Sequence, residues 1–205
     1  MRNSTGFTLI EMLVVITIIG ILASLILVGV INAIGSSKIN STKASLLQIK
    51  MALEQYKNYF GDYPPSSLTE FGATLPNNTN NGIEAMLACL STNNGGPFYE
   101  APSKFLANTD NDSVKKNITN WYFGDNQLRE VIDDFGNPFI YFHFRDYQKP
   151  SKNIIKYIIG GQVQECRPSK DNKTGTFCNP YGFQLWSLGP DGKNDNGGGD
   201  DITCQ

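Results

Sequence analysis

Residues 7–31 read FTLIEMLVVITIIGILASLILVGVI, an apolar run with one charge, Glu11. As a helix at about 1.5 Å per residue it is about 37 Å long, and a bilayer core is about 30 Å thick. Apolar residues fall all round its circumference, so no single face is set aside for a protein core. The rest of a 205-residue chain is too small to wrap it. The run predicts a membrane-inserted helix. A secretory signal peptide is the competing reading. The start, MRNSTG, carries a single Arg, the run exceeds the about 7–15 residues such a peptide uses, and no A-x-A-like site follows. Arg2 precedes the run while Lys38 and Lys43 follow it, so charge counting leaves the orientation open.

Glu11 lies near one end of the run, where a carboxylate costs less than at the bilayer centre. Two readings stand. The carboxylate snorkels to the headgroups, or it is retained to meet a positive charge inside an assembly.

The string Gly6-Phe7-Thr8-Leu9-Ile10-Glu11, continuing into the apolar run, resembles the N-terminus of type IV pilins and type II secretion pseudopilins. The resemblance implies that a membrane prepilin peptidase cuts between Gly6 and Phe7. Phe7 then becomes an N-methylated mature N-terminus, and the leader stays cytoplasmic. It also implies that Glu11 neutralises the N-terminal ammonium of Phe7 on a neighbouring subunit. Such a pair sets register, because a misplaced subunit leaves two charges unmatched in a low dielectric. Many relatives carry a Pro about two-thirds along the span. Here that region reads Val28-Gly29-Val30, and Gly weakens a helix by about 1 kcal/mol against roughly 3 for Pro.

Beyond Ile31 the chain turns polar without a break. Leu46, Ile49, Leu53, Tyr56 and Phe60 share one helical face, and Lys50 and Glu54 have i,i+4 spacing. Gly61 suits a C-terminal cap and Pro64-Pro65 ends the helix. Gly35-Ser36-Ser37 is the expected bend. Residues 66–127 read as loops with one short helix over 83–90. Residues 139–144, 154–159 and 182–188 read as three strands of one short antiparallel sheet packed on the helix stripe. The fold class is α+β. The divisions are a cleaved leader 1–6, a transmembrane and assembly half 7–31, an amphipathic half 32–61 and a periplasmic globular head 62–205. Asp134-Phe-Gly-Asn-Pro-Phe139 resembles a segment of major pseudopilins just before their first strand.

Charge and composition narrow the function. A net charge of −2 gives no global reason to bind nucleic acid. His143 is the chain's single His, which excludes a multi-histidine metal site, and within a strand it reads as structural. No nucleophile–base pair, phosphate loop or zinc spacing appears.

The C-terminal segment LGPDGKNDNGGGDDI places Asp191, Asp195, Asp200 and Asp201 around three adjacent Gly. Calcium takes six to eight oxygens and tolerates irregular loops. The spacing is not an EF-hand, since Lys193 falls where an acid belongs and no Glu closes the loop. On residues alone, a calcium site and a solvated acidic turn both remain open. The segment is similar to the calcium loop of the major pseudopilin of type II secretion. That resemblance implies a structural Ca2+ held by Asp191, Asp200 and Asp201, with carbonyls of Leu188 and Gly198. The stretch between Asp191 and Asp200 is about two residues longer than is usual there. Cys166 and Cys178 flank a turn-rich insertion, and a bridge would stabilise by about 3 kcal/mol in the chain-entropy model. Cys89 and Cys204 are the remaining pair. Three pairings and free buried thiols all stay open, and the even count fits an exported head.

The expected function is that of a structural subunit. It polymerises through its N-terminal helix into a periplasmic pseudopilus driving type II secretion. Its implied partners are its own copies, minor pseudopilins, prepilin peptidase and an inner-membrane assembly platform, with no nucleic acid. The expected location is the inner membrane as a single-pass protein, then a periplasmic filament. A type IV pilus subunit is the alternative, and a membrane-anchored periplasmic enzyme a weaker one.

Overall fold

The computed structural model describes residues 8–92, 94–114, 126–152, 154–159 and 161–203, with backbone only at 28. The chain divides into two compact units, residues 1–38 and 39–205. Helix α1 (Leu9–Phe60) supplies the described part of the first unit and the opening element of the second. Helical hydrogen bonding runs unbroken through Gly35-Ser36-Ser37, where the sequence suggests a bend.

In the second unit, Leu46, Ile49 and Leu53 are fully buried and Tyr56 nearly so. They pack with Ile83, Met86, Leu87 and Leu90 of α2 (Asn81–Leu90) and with Phe139, Tyr141, Phe183 and Leu185. Each such side chain contributes about 1.5–3 kcal/mol by leaving water. Phe60 departs from the expected stripe: it is 41% exposed and meets Tyr56 in a tilted contact and Phe98 edge-on at the rim, 4.5 and 6.0 Å between ring centres. Gly61 ends α1 with φ 85°, its N–H donating to the Lys57 carbonyl at 2.7 Å. Tyr63 then ties the chain back to the helix. Its hydroxyl donates to Glu54 at 2.9 Å and accepts from Lys57 at 3.2 Å.

The strands are β1 (Leu106–Ala107), β2 (Glu130–Val131), β3 (Ile140–His143), β4 (Ile155–Ile159), β5 (Gln162–Cys166), β6 (Phe183–Ser187) and β7 (Ile202–Thr203). The central sheet has the order β3-β6-β7 and is antiparallel, with Ile140 opposite Trp186 and Trp186 opposite Thr203. Every residue of β3 and β6 is buried. Tyr141 and Leu185 face the α1–α2 core, while Ile140, Phe142 and Trp186 face a second core with Ile155, Tyr157 and Leu188. Cover on both faces explains why residues 139–144 are continuously apolar or aromatic rather than alternating.

The second of the three expected strands does not join that sheet. Residues 155–159 pair with 162–166 as a separate antiparallel ribbon. The reason is local: Gly161 takes φ 77° and reverses the chain at once, so the nearest partner is the next segment. Strand β5, Gln-Val-Gln-Glu-Cys, is mostly exposed and polar, which hides it from apolar patterning. Helix α2 covers residues 81–90, two residues more than expected at its start. Gly82 is required there, because a Cβ would run into the Tyr141 carbonyl and lie 2.7 Å from Ile155 Cδ1.

Candidate functional site: the helix start and the C-terminal acidic loop

Gly6 and Phe7, the expected processing residues, lie outside the described residues. Thr8 caps α1. Its carbonyl accepts the Met12 N–H at 3.2 Å and its Oγ1 accepts the Glu11 N–H at 3.3 Å. Its own N–H and hydroxyl donate to Glu11 Oε2 at 2.8 and 2.7 Å. This is a reciprocal capping box, written Thr8-Leu-Ile-Glu11. The Thr-x-x-Glu spacing before an apolar run is the sequence signal for it, and neither reading of Glu11 given above uses that signal. From Leu9 to Ile34 the described large apolar side chains stand exposed. The hydroxyls of Thr17 and Ser24 donate to the carbonyls of Leu13 and Ile21 at 2.8 and 2.7 Å. The two hydroxyls of this stretch are thereby satisfied within the helix, as an apolar environment requires.

The acidic loop leaves β6 at the buried Leu188 and returns into β7. Gly189 turns the chain at φ 67°, a conformation that also brings it against the Asp200 carbonyl. The Asp191 N–H donates to Asp200 Oδ2 at 3.4 Å. Asp201 Oδ2 accepts the N–H groups of Asp195 at 3.1 Å and Gly197 at 2.7 Å, and the Gly198 carbonyl accepts the Asp201 N–H at 2.9 Å. Asp201 Oδ1 is buried and has no hydrogen-bond partner among the described residues. Burial, with Asp195 and Asp200 adding repulsion, pushes the Asp201 carboxyl up to about 6. Lys193 sits 3.4 Å from Asp191. The expected residues Leu188, Asp191, Gly198, Asp200 and Asp201 are thus gathered in one loop, and every side-chain donor among them is a carboxylate oxygen.

Residues just before β3 brace this loop. Asp133 is almost fully buried, and its Oδ1 accepts the N–H groups of Phe135 and Asn137 at 2.8 and 2.9 Å. Its Oδ2 accepts the Ser187 hydroxyl at 2.6 Å, and Ser187 Oγ accepts the Gly189 N–H at 3.0 Å. Asn137 donates to the Gly189 carbonyl at 3.5 Å. The Asp134–Phe139 segment, to which the sequence attaches no chemistry, therefore positions the root of the acidic loop. Asp133, one residue upstream, carries most of the bonds, and nothing in its sequence context marks it.

Cys89, Cys166 and Cys178 are free thiols, and Cys204 lies outside the described residues. Cys166 Sγ lies 3.5 Å from the Ile155 carbonyl and Cys178 Sγ 3.6 Å from Ser169 Oγ, so the two sulfurs flanking the insertion have separate neighbours. The insertion is held instead by the buried Gln184, which accepts the Ser169 N–H at 2.6 Å and donates to the carbonyls of Ser169 and Cys178 at 3.0 and 2.7 Å. His143 is buried at the end of β3 beside Asp62, 3.2 Å away, and serves packing.

A capped, exposed apolar helix start heads a chain whose second unit is α+β. Residues 1–27 match the family model of the prokaryotic N-terminal methylation motif. The type II secretion system core protein G of Pseudomonas aeruginosa is 41% identical over 56 residues, which cover 27% of this chain and 39% of that protein. The chain therefore spans about two fifths of the curated relative it matches. No solved structure matches.

Proposed function

We propose that the chain is a major-pseudopilin-type structural subunit, held in the inner membrane by residues 7–31 and polymerised through that helix into a periplasmic filament serving protein secretion. The observation that carries this is the methylation motif heading a helix whose apolar side chains stand exposed along its first half. Those side chains need either lipid or copies of themselves. Small residues, Gly20, Ala23, Ser24 and Gly29, let backbones approach closely. The similarity to a type II secretion core protein favours a secretion filament over a surface pilus. No catalytic step is assigned to the head. Its partners on this reading are its own copies, minor pseudopilins, prepilin peptidase and the inner-membrane platform.

The same reading gives the acidic loop a structural calcium ion. The fit rests on the partnerless buried Asp201 Oδ1 and on an all-oxygen donor set. Asp191, Asp200 and Asp201, with carbonyls of Leu188 and Gly198, would hold it. Bound there, the ion offsets three carboxylates and fixes a glycine-rich segment onto β6.

Mass spectrometry of the mature chain tests the assignment: it starts at a methylated Phe7, and an intact Met1 overturns it. Deleting the gene then blocks export of folded proteins. Loss of twitching or attachment with export intact transfers the subunit to a pilus.

A further inference from the structure

Helix α2 and the loop after β1 bring a second set of acids together. One carboxylate oxygen from each of Glu84, Asp110 and Asp112 lies within 4.8 Å of the other two. Glu84 is in the first turn of α2 and only 2% exposed, and neither of its oxygens has a hydrogen-bond partner among the described residues. Asp110 Oδ1 and Asp112 Oδ1 are likewise buried and partnerless. Their other oxygens are held from outside: Asn77 Nδ2 donates to Asp110 Oδ2 at 2.8 Å and to Asp112 Oδ2 at 3.0 Å.

The surrounding shell is built. Asn108 accepts the Asp112 N–H at 2.9 Å and donates to its carbonyl at 2.7 Å, closing the 108–112 loop. Asn80 donates to Thr109 at 2.8 Å and to the buried Glu130 at 2.9 Å, and Glu130 accepts the Thr109 N–H at 3.0 Å. Asn80 Oδ1 is one more buried oxygen without a partner. Amide groups thus fix the outer side of each aspartate while the inner oxygens face one another. The charges acting on Glu84 from its surroundings, Asp112, Glu130 and Asp110, are all acidic. Buried like charges without a counter-charge are strongly unfavourable, and buried polar atoms are normally satisfied.

We propose that Glu84, Asp110 and Asp112 bind a divalent, oxygen-seeking cation of the calcium class, at a site separate from the C-terminal loop. A dication placed among the inner oxygens meets all four partnerless carboxylate atoms and offsets their charge. Hard carboxylate donors on an irregular loop select calcium, or magnesium with retained waters, over zinc or copper. The site joins α2 to the loop between β1 and the rest of the head, so its occupancy fixes that loop.

Full-length protein in detergent micelles, stripped with chelator, is titrated with calcium chloride by calorimetry, and separately with magnesium chloride. Three variants are compared with the native chain: Glu84→Gln, Asp112→Asn and the double variant Asp200→Asn/Asp201→Asn. Glu84→Gln and Asp112→Asn each lose one equivalent of bound cation, or bind it at least tenfold more weakly. The C-terminal double variant keeps that equivalent. In chelator, Glu84→Gln melts no lower than the native chain, because the Glu84 carboxyl makes no hydrogen bond to the described residues. Native stoichiometry and affinity in both Glu84→Gln and Asp112→Asn overturn the site, as does a C-terminal double variant that binds no cation at millimolar calcium.

Discussion

Thr8 and Glu11 satisfy each other's backbone: the Thr8 hydroxyl accepts the Glu11 amide while the Glu11 carboxylate accepts the Thr8 amide. The acid that the family resemblance pairs with a neighbour's ammonium therefore already has work within its own chain. The two roles are separable, because a capping box accepts Gln at its third position as well as Glu. Glu11→Gln keeps the helix start, read as unchanged helicity by circular dichroism in micelles, and loses filament formation, read by crosslinking through cysteines placed in the helix. Thr8→Val frays the first turn and still assembles. Full assembly of Glu11→Gln would mean that the charge has no role between subunits.

The stripe on the second half of α1 makes a graded prediction. Leu53 is fully buried against α2 and the central sheet, so Leu53→Ala costs about 2–5 kcal/mol of head stability. Phe60 sits at the rim with three aromatic neighbours, Tyr56, Tyr59 and Phe98, and Phe60→Ala costs clearly less. Denaturant unfolding of the full chain in micelles, followed by tryptophan fluorescence, measures both.

Much of this was legible because periodicity reports burial on one face. The spacing of Leu46, Ile49, Leu53 and Tyr56 locates the core face of α1, and Gly61 marks its end. Periodicity fails where burial is two-sided or absent. Strands β3 and β6 are buried on both faces, so their sequence carries no alternation to say what covers each face. Strand β5 has no buried stripe, so apolar patterning passes over it and assigns residues 154–159 to the main sheet. The acids of the C-terminal loop are legible because they cluster along the chain. Glu84, Asp110 and Asp112 come together only on folding, and Glu84 hides inside an otherwise apolar helix. Asp133 escapes for the same reason: its partners, Ser187 above all, are far away in sequence.

Asp133 anchors the root of the acidic loop through three hydrogen bonds to one buried carboxylate. Removing a partner from a buried polar group costs about 1–3 kcal/mol. Asp133→Ala therefore destabilises the head by at least that amount, and Ser187→Ala by less, since the two backbone donors keep their acceptor. Groups that share one network couple, so the double variant falls short of the sum. Additive losses in chemical denaturation would place the two residues in independent roles.

Calcium at the C-terminal loop predicts a shift that depends on Asp201. Adding calcium to chelated protein raises the melting temperature, and Asp201→Asn removes the part of that rise belonging to the loop while Glu84→Gln leaves it. A bound ligand stabilises through its concentration relative to Kd, so the rise grows with calcium until the chain's other transitions limit it. An identical calcium response in Asp201→Asn and native protein would remove the ion from this loop.

His143 gives a pH dependence whose sign follows from its surroundings. Its Nδ1 accepts the Arg145 N–H at 3.1 Å, so its Nε2 carries the proton and faces Asp62 at 3.2 Å. Asp62 in turn holds Arg145 at 2.8 Å, and Asp146 is the other nearby acid. Burial lowers the His143 pKa, outweighing the pull of Asp62 and Asp146. The unfolded chain, with a His near 6.5, then binds the proton first as pH falls, and the folded state loses stability in that window. Protonating Nδ1 also breaks its bond to the Arg145 amide. Buried carboxyls whose pKa is raised, such as Glu130, act in the opposite sense, so the measurement is a comparison with His143→Gln. From pH 7 down to pH 5, native protein loses stability relative to His143→Gln, and above pH 7 the difference between them is flat. A difference that stays constant from pH 5 to 8 would mean that this imidazole keeps its ordinary pKa in the fold.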